Sequence, residues 1–482
     1  MSEKTILILI PARGGSKGLP GKNLARVGGI PLVGRAARLG RRAARIFGPG
    51  CRVVCSTDSS AIAEAAKTWG AEVPFLRPAE LASDDARTSD VLVHAIDTVG
   101  GTFDSVVVLQ PTSPLTEIDD VLGAVALHRK CASPVVSVCA AEHPAEWLFT
   151  VDDGGRLRRL LERGDSVHQR QETIAAFRPN GAVFVSDPAA FRKERTFFIS
   201  ATRGFVMPAA RSIDIDKSED LDIASGLMAL RETRSVRLSD RYVGSRNPCF
   251  VIAEANLSLN DGVDSARRLI GTVAAAGADA MSFPGLHAGA GDSQELAAHC
   301  RASGIAFLAS PSREESVESL SGREATGFRL WSREVTNHEF LRRVARSGKP
   351  IILSTETSSL AELAAAVDVL EESGCQSLVL VESRGCEKID AGLRTMKTIE
   401  MAFGWPVGYA DPEARNALTI AAVAHGARVI EKRFTSARSI AAPDHDVSAE
   451  SREFASLVRS IREVEAALRN DGGSTDTTRT CF

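Results

Sequence analysis

Residues 8–23 read ILIPARGGSKGLPGKN, an apolar strand running straight into a loop that holds four glycines, Arg13, Lys17 and Lys22. Glycines allow backbone N–H groups to come close to a ligand. Arginine, as a planar fork, and lysine, as a point charge, neutralise phosphates. A basic, glycine-rich turn at the carboxyl end of the first strand of an α/β sheet is where such folds bind nucleotides. The pattern is neither GxxxxGK[ST] nor GxGxxG, which disfavours an ordinary P-loop or dinucleotide fingerprint. The competing reading is an exposed loop whose charges are merely solvated.

Outward from this loop, short β-rich runs alternate with segments of helical period. Strands are predicted at Ile6–Ile10, Arg52–Cys55, Ser105–Leu109, Pro134–Val138 and Ala182–Val185, and helices at Leu32–Ile46, Ser60–Trp69, Ser89–Val99 and Asp119–Arg129. Such alternation implies a parallel sheet covered on both faces. The polar, aperiodic stretch 235–247 (SVRLSDRYVGSRN) reads as a linker that ends a first domain at 1–234. Eight further strand patterns follow, beginning at Phe250, Ala280, Ala306, Gly327, Pro350, Ser377, Val407 and Val429. Eight β/α units over residues 248–469 predict a closed (β/α)8 barrel of TIM type. The tail 470–482 lacks core-forming content and is expected to be disordered.

Composition bounds the function. At 482 residues the chain holds two or three domains of ordinary size. Its 44% apolar and 25% charged residues are typical of a soluble globular protein, and a net charge of −3 gives no hint of a nucleic-acid or membrane partner. No apolar run approaches the roughly 20 residues of a membrane span. The N-terminus has no signal-peptide layout, so a cytoplasmic location is expected. Nine cysteines without a CxxC pair suggest reduced thiols rather than disulfides or a zinc site.

The loop has company. Arg77 sits in FLRPAELASDD, Gln110 in LQPTSP, Arg170, Arg178 and Asn180 in HQRQETIAAFRPNG, and Asp214 and Asp216 in RSIDIDKSEDLD. Aspartates at i and i+2 on an extended segment project to one side. Such a pair suits Mg²⁺, which takes hard oxygen ligands together with substrate phosphates. The alternative is that the pair only caps a helix starting near Ser218.

Taken in order, IPARGGSKGLPGKN, RPAELASDD, LQPTSPL, FRPNGAVFV and SIDID resemble the acylneuraminate cytidylyltransferases, the CMP-sialic acid synthetases and their relatives acting on other nonulosonic acids. The resemblance covers residues 5 to about 230. It implies a Rossmann-like nucleotidyltransferase domain in which the anomeric hydroxyl of a nonulosonic acid attacks the α-phosphate of CTP and pyrophosphate leaves. It implies CTP over Arg13, Gly14, Ser16, Lys17, Lys22 and Asn23, with Arg77 and Gln110 near the nucleoside or sugar. Gln110, Arg170, Arg178 and Asn180 would line the sugar-acid side, and Asp214 and Asp216 would hold Mg²⁺ or Mn²⁺. Arg13, Lys22, Asp214 and Asp216 would carry the chemistry. A segment from about 140 to 175 leaves the strand–helix rhythm. A similar arm in the family reaches the neighbouring subunit, so a homo-oligomer, dimer or tetramer, is expected. Two departures touch sugar specificity: Thr116 follows PTSPL in place of an arginine, and Glu146 stands where some members carry a lysine.

The second half, in FVIAEANLSLNDG, GADAMSFPG, SGKPIILST, PVGYADP, ARVIEKRFT and PDH, resembles the barrel of sialic acid synthases, which condense phosphoenolpyruvate with an N-acyl sugar. Here the departures fall on the chemistry. Glu382 and Pro412 replace two metal-binding histidines, Arg433 replaces the histidine of EKHFT, and Ser282 replaces a lysine. Glu254, Glu334, Asp411, Asp444 and His445 are retained polar positions. Because catalytic groups of such barrels sit at the carboxyl ends of the strands, where these changes cluster, a barrel without synthase activity is expected. The alternative is a bifunctional chain whose barrel uses Glu254, Glu382 and Asp411 as an all-oxygen metal site.

Overall fold

In a computed structural model the described residues are 5–16, 18–83, 85–161, 173–255, 262–283, 290–311, 317–318, 320, 325–383, 389–411, 416–439 and 446–469. They divide into two compact units, Met1–Leu230 and Arg231–Phe482.

The first unit is built on a six-stranded sheet. Its spatial order is Arg203–Val206, Val135–Ala140, Phe177–Ser186, Ser105–Leu109, Ile6–Pro11 and Arg52–Ser56. Ile6–Ile10 and Val106–Leu109 are almost wholly buried, because both faces of these strands are covered. A near-continuous Val/Ile/Leu run is what a doubly covered strand requires. Burial of each such side chain contributes about 1.5–3 kcal/mol. Helices Leu32–Phe47, Ser60–Thr68, Thr88–Val99 and Ile118–Cys131 connect the strands close to their predicted bounds.

The expectation of an all-parallel sheet is corrected in one place. Phe177–Ser186 runs antiparallel to both Ser105–Leu109 and Val135–Ala140, with a register shift between Val136 and Val138. A fully buried apolar run has the same composition whichever way it points. Arg203–Val206 adds a parallel edge strand that the sequence pattern did not reveal.

Strand order positions the site. The chain leaves Ile6–Pro11 for its neighbour on one side, Arg52–Ser56, and then crosses to Ser105–Leu109 on the other. Ligands of open α/β sheets bind at such a switch point, outside the carboxyl ends of the strands. The loops at 12–24 and 110–116 open there.

In the second unit eight parallel strands close a barrel: Phe250–Ala255, Ala280–Ser282, Ala306–Ala309, Gly327–Leu330, Ile351–Ser354, Leu378–Glu382, Val407–Asp411 and Val429–Phe434. The first and last pair from Phe250↔Val429 to Ala255↔Phe434. The stretch read as a linker forms, within this unit, an antiparallel hairpin of Val236–Leu238 and Arg241–Val243 with Val236, Leu238 and Val243 buried. Arg241 pairs with Asp279, so the hairpin is tied to the barrel by charge as well as by packing. Among the described residues no helix is long and apolar enough to cross a membrane. The tail 470–482 lies outside the described residues.

Candidate functional site

Three segments converge at the switch point. The first is the glycine loop. The second follows Ser105–Leu109 and contains Gln110, Thr112 and Ser113. The third is the segment carrying Asp214 and Asp216, whose Ile215 amide donates to the Thr112 carbonyl at 2.8 Å. That bond places an element more than 100 residues distant in sequence over the strand ends. The loop meets the same segment from the other side: a Cβ on Gly18 would lie 2.7 Å from the Asp216 carbonyl oxygen, so only glycine allows this approach.

Lys22 Nζ donates to Asp216 Oδ1 at 3.1 Å, across 194 residues of chain. The lysine is mostly covered and the carboxylate is 71% exposed, so the pair faces outward. The helix Ser218–Ala229 is not capped by either predicted aspartate. Asp220, inside its first turn, accepts from the amides of Asp216 and Lys217, both at 2.8 Å. Those two bonds hold Asp220 below the ordinary carboxylate range. The side chains of Asp214 and Asp216 are therefore not used up by the helix terminus.

Burial pushes the Asp214 carboxyl up, and the neighbouring charges of Asp216 and Asp220 add to this; the Thr112 hydroxyl and Lys22 pull it down. Asp214 lies against Gly181, whose φ is +74°, and a Cβ there would come within 3.4 Å of Asp214 Oδ2 and 3.8 Å of Ser113 Oγ. Ser113 is 4% exposed, and among the described residues its hydroxyl has no hydrogen-bond partner. Asp214 and Asp216, beside a buried hydroxyl that has no partner among the described residues, form a hard-oxygen donor set that fits a divalent cation. Among the described residues no three His, Cys, Asp or Glu side chains are arranged to hold a metal ion by themselves. A cation here would complete its coordination with ligand oxygens and water.

The other predicted residues divide. Arg13 is half-buried and donates to the Ser83 carbonyl at 3.1 Å, while Gly14 and Ser16 line the loop. Gln110 is half-buried at the switch point, and Arg178 is exposed on the strand Phe177–Ser186. Lys17 and Arg170 lie outside the described residues.

Three residues expected at the ligand are buried and hydrogen-bonded within the protein. Asn180 is 1% exposed; its amide donates to Ser212 Oγ and Met207 Sδ, and its oxygen accepts from Ser137 Oγ and the Ala182 amide. It repairs the irregular register of its strand. Arg77 is 6% exposed and spends its guanidinium on Ser56, with 2.5 Å to the carbonyl and 3.2 Å to Oγ. Burial lowers its pKa, and Asp58 opposes that shift. Asn23, also buried, donates to the Arg13 carbonyl at 2.9 Å. Buried polar groups must find partners, and these three find them inside the protein.

In the barrel, charged side chains near the carboxyl ends of the strands turn on one another. Arg329 and Glu431, 4% and 2% exposed, form a forked pair with contacts of 2.9–3.2 Å. Glu254 lies 3.9 Å from Arg329 and 3.7 Å from Arg433. Burial, with Glu431 beside it, pushes the Glu254 carboxyl up to about 8 despite both arginines. Glu382 accepts from Thr355 Oγ1 at 3.0 Å, and Asp411 accepts from Lys432 Nζ at 2.5 Å and Thr419 Oγ1 at 3.0 Å. The three carboxylates of the all-oxygen alternative thus have separate partners. Pro412, Asp444 and His445 lie outside the described residues.

Two family models match the chain, one described as cytidylyltransferase over residues 7–220 and one as NeuB family over residues 275–472. The CMP-N,N'-diacetyllegionaminic acid synthase of Legionella pneumophila is 33% identical over 236 residues, which cover 47% of this chain and 97% of that protein. The N,N'-diacetyllegionaminic acid synthase of Campylobacter jejuni is 31% identical over 257 residues, covering 45% of this chain and 77% of that protein. A solved N-acetylneuraminic acid synthetase from Leptospira borgpetersenii, in complex with citrate, is similar with a TM-score of 0.46 and 25% identity over 52% of this chain and 94% of that one. The chain therefore belongs to the cytidylyltransferase family through its first unit and to the NeuB family through its second, and it is a nucleotidyltransferase enzyme.

Proposed function

We propose that the first unit transfers CMP from CTP to the anomeric hydroxyl of a nonulosonic acid of the sialic or legionaminic type, releasing pyrophosphate. The observation that carries this reading is the outward-facing pair of Lys22 and Asp216, with Asp214 beside it, where the glycine loop meets the switch point. Displacement at phosphorus is catalysed mainly by positioning and by neutralising charge. Lys22 and Arg13 supply positive charge for the triphosphate, and Asp216 aims the Lys22 ammonium. Asp214 and Asp216, with the Ser113 hydroxyl close by, are the groups that would hold Mg²⁺ or Mn²⁺. Such an ion, when bound, neutralises phosphate oxygens and the departing pyrophosphate. In this reading half-buried Gln110 meets the base or the sugar, and exposed Arg178 pairs with the sugar carboxylate.

Two further parts belong to this reading. A hairpin of Phe149–Val151 and Leu157–Arg159 leaves Val151 66% and Leu157 67% exposed, an apolar surface suited to a second copy in a homo-oligomer. The barrel is read as non-catalytic, because its buried charges neutralise one another. A bifunctional chain remains the second reading, favoured by the NeuB match and by the presence of Glu254 and Glu334.

Pyrophosphate release from CTP with a panel of nonulosonic acids tests the assignment. Turnover with at least one sialic-type acid and preference for CTP are expected, whereas equal turnover with UTP or ATP would contradict it.

A further inference from the structure

The Arg13 carbonyl and the Gly14 amide belong to one peptide unit, and the structure grips both ends of it. Asn23 Nδ2 donates to the Arg13 oxygen at 2.9 Å, and the Gly14 N–H donates to Asp58 Oδ1 at 2.8 Å. Each partner is itself held. Asn23 is 7% exposed. Asp58 follows a turn clamped by Arg77, whose amide donates to the Thr57 carbonyl at 2.7 Å and whose guanidinium binds Ser56. The Ala12 amide also donates to the Ser56 carbonyl at 3.0 Å, which continues the strand register up to the loop. The approach is tight, since a Cβ on Gly14 would lie 3.1 Å from Ser59 Cβ.

We infer that Asp58 is a positioning residue for nucleotide binding and, with Asn23, locks the Arg13–Gly14 peptide plane so that the glycine loop is preformed for a nucleoside triphosphate. The inference rests on the proposed cytidylyl transfer only for the identity of that nucleotide. Gly14 donates to a carboxylate rather than to a phosphate, so the bond to Asp58 shapes the loop and the neighbouring amides remain for the ligand. A peptide held at its oxygen and its nitrogen cannot rotate, and a loop fixed before binding loses less entropy when the ligand arrives. The lock depends on an acceptor oxygen at position 58 rather than on its charge.

The test measures CTP dissociation constants by calorimetry, and KM values for CTP and for the sugar acid, with the full chain and three variants. Asp58→Ala is expected to raise the CTP dissociation constant and KM at least tenfold, with the sugar-acid KM unchanged. Asp58→Asn keeps an acceptor and is expected to stay within threefold of the native protein. Asn23→Ala, which opens the other end of the lock, should match Asp58→Ala, and the double variant should be little worse than either, because one lock is broken only once. Equal CTP affinity in Asp58→Ala and the native protein would overturn the inference, as would equal weakening by Asp58→Asn. If the native chain binds CTP but transfers nothing to any acid, the reading of the reaction fails, and the binding constants still decide the lock.

Discussion

The carboxyl ends of the strands are treated in opposite ways in the two units. In the first, Lys22 and Asp216 meet at the surface, Asp214 sits beside a notch left by Gly181, and the Ser113 hydroxyl lacks a partner among the described residues. In the barrel, Arg329 is forked onto Glu431, Lys432 is spent on Asp411, and Glu254 shares the Glu431 environment, all of them buried. The barrel has the larger store of buried charge, and the first unit has the charge a ligand can reach. What marks the proposed site is charge that a ligand can reach, because only accessible charge can be turned toward a ligand or a transition state. A fully paired buried cluster instead contributes rigidity, at a desolvation cost.

The largest effect expected from breaking this contrast is in the first unit. Asp216→Ala removes a carboxylate from the pair and the partner of Lys22, and it should lower turnover about a thousandfold or more, since such a group acts chiefly on transition-state charge. Steady-state pyrophosphate release with circular dichroism checks this, and near-native rates would remove Asp216 from the chemistry. Gly18→Ala is a milder probe. Its Cβ would press on the Asp216 carbonyl at 2.7 Å, so the loop must move off that segment. A fall in kcat/KM of about tenfold or more, with little change in melting temperature, is expected because loop geometry rather than core packing is disturbed.

The barrel should respond in stability rather than in transfer rate. Arg329→Met leaves Glu431 buried without its forked partner, which typically costs about 3–5 kcal/mol. Calorimetry should show the NeuB-family unit melting earlier while CMP transfer by the first unit persists. A smaller, graded effect comes from pH. Burial raises the pKa of Glu254 in the folded state to about 8, above its ordinary value of 4.5. Between those values the folded barrel holds a proton that the unfolded chain releases. The stabilisation is therefore complete below about 4.5 and is lost as pH rises through about 8. Glu254→Gln, which imitates the protonated form, should flatten that slope in melting temperature. An unchanged slope would mean that another group titrates.

Much of the fold was legible in the sequence because buried strands leave continuous apolar runs: Ile6–Ile10, Ser105–Leu109 and the eightfold repeat from Phe250 onward mark themselves. Direction was not legible. Phe177–Ser186 is antiparallel yet apolar over its buried length, and a doubly covered strand carries no alternation to betray its sense. Arg203–Val206, short and largely exposed, has only Phe205 and Val206 as apolar residues, too few to mark a strand. Charge and spacing alone bring Arg13, Lys22 and the Asp214/Asp216 pair forward as candidates, while the meeting of Lys22 with Asp216 across the chain is visible only in the fold. The internal hydrogen bonds of Asn180, Arg77 and Asn23 were not legible, because a polar residue beside a glycine looks the same whether it meets a ligand or a backbone. Asp58 was missed for the matching reason, since STDSS has the composition of any turn. The role inferred for it rests on the register Pro11↔Ser56, which sets it beside Gly14 and becomes visible only when the strands are paired.

The most direct test of the contrast puts both reactions to the same full-length protein with a divalent cation present. CTP with a sialic-type acid should yield pyrophosphate and a CMP-sugar, while phosphoenolpyruvate with an N-acyl sugar, in the absence of CTP, should yield no sugar acid. Sugar-acid formation in the second reaction would contradict the account by showing that the paired charges of the barrel still leave a working site.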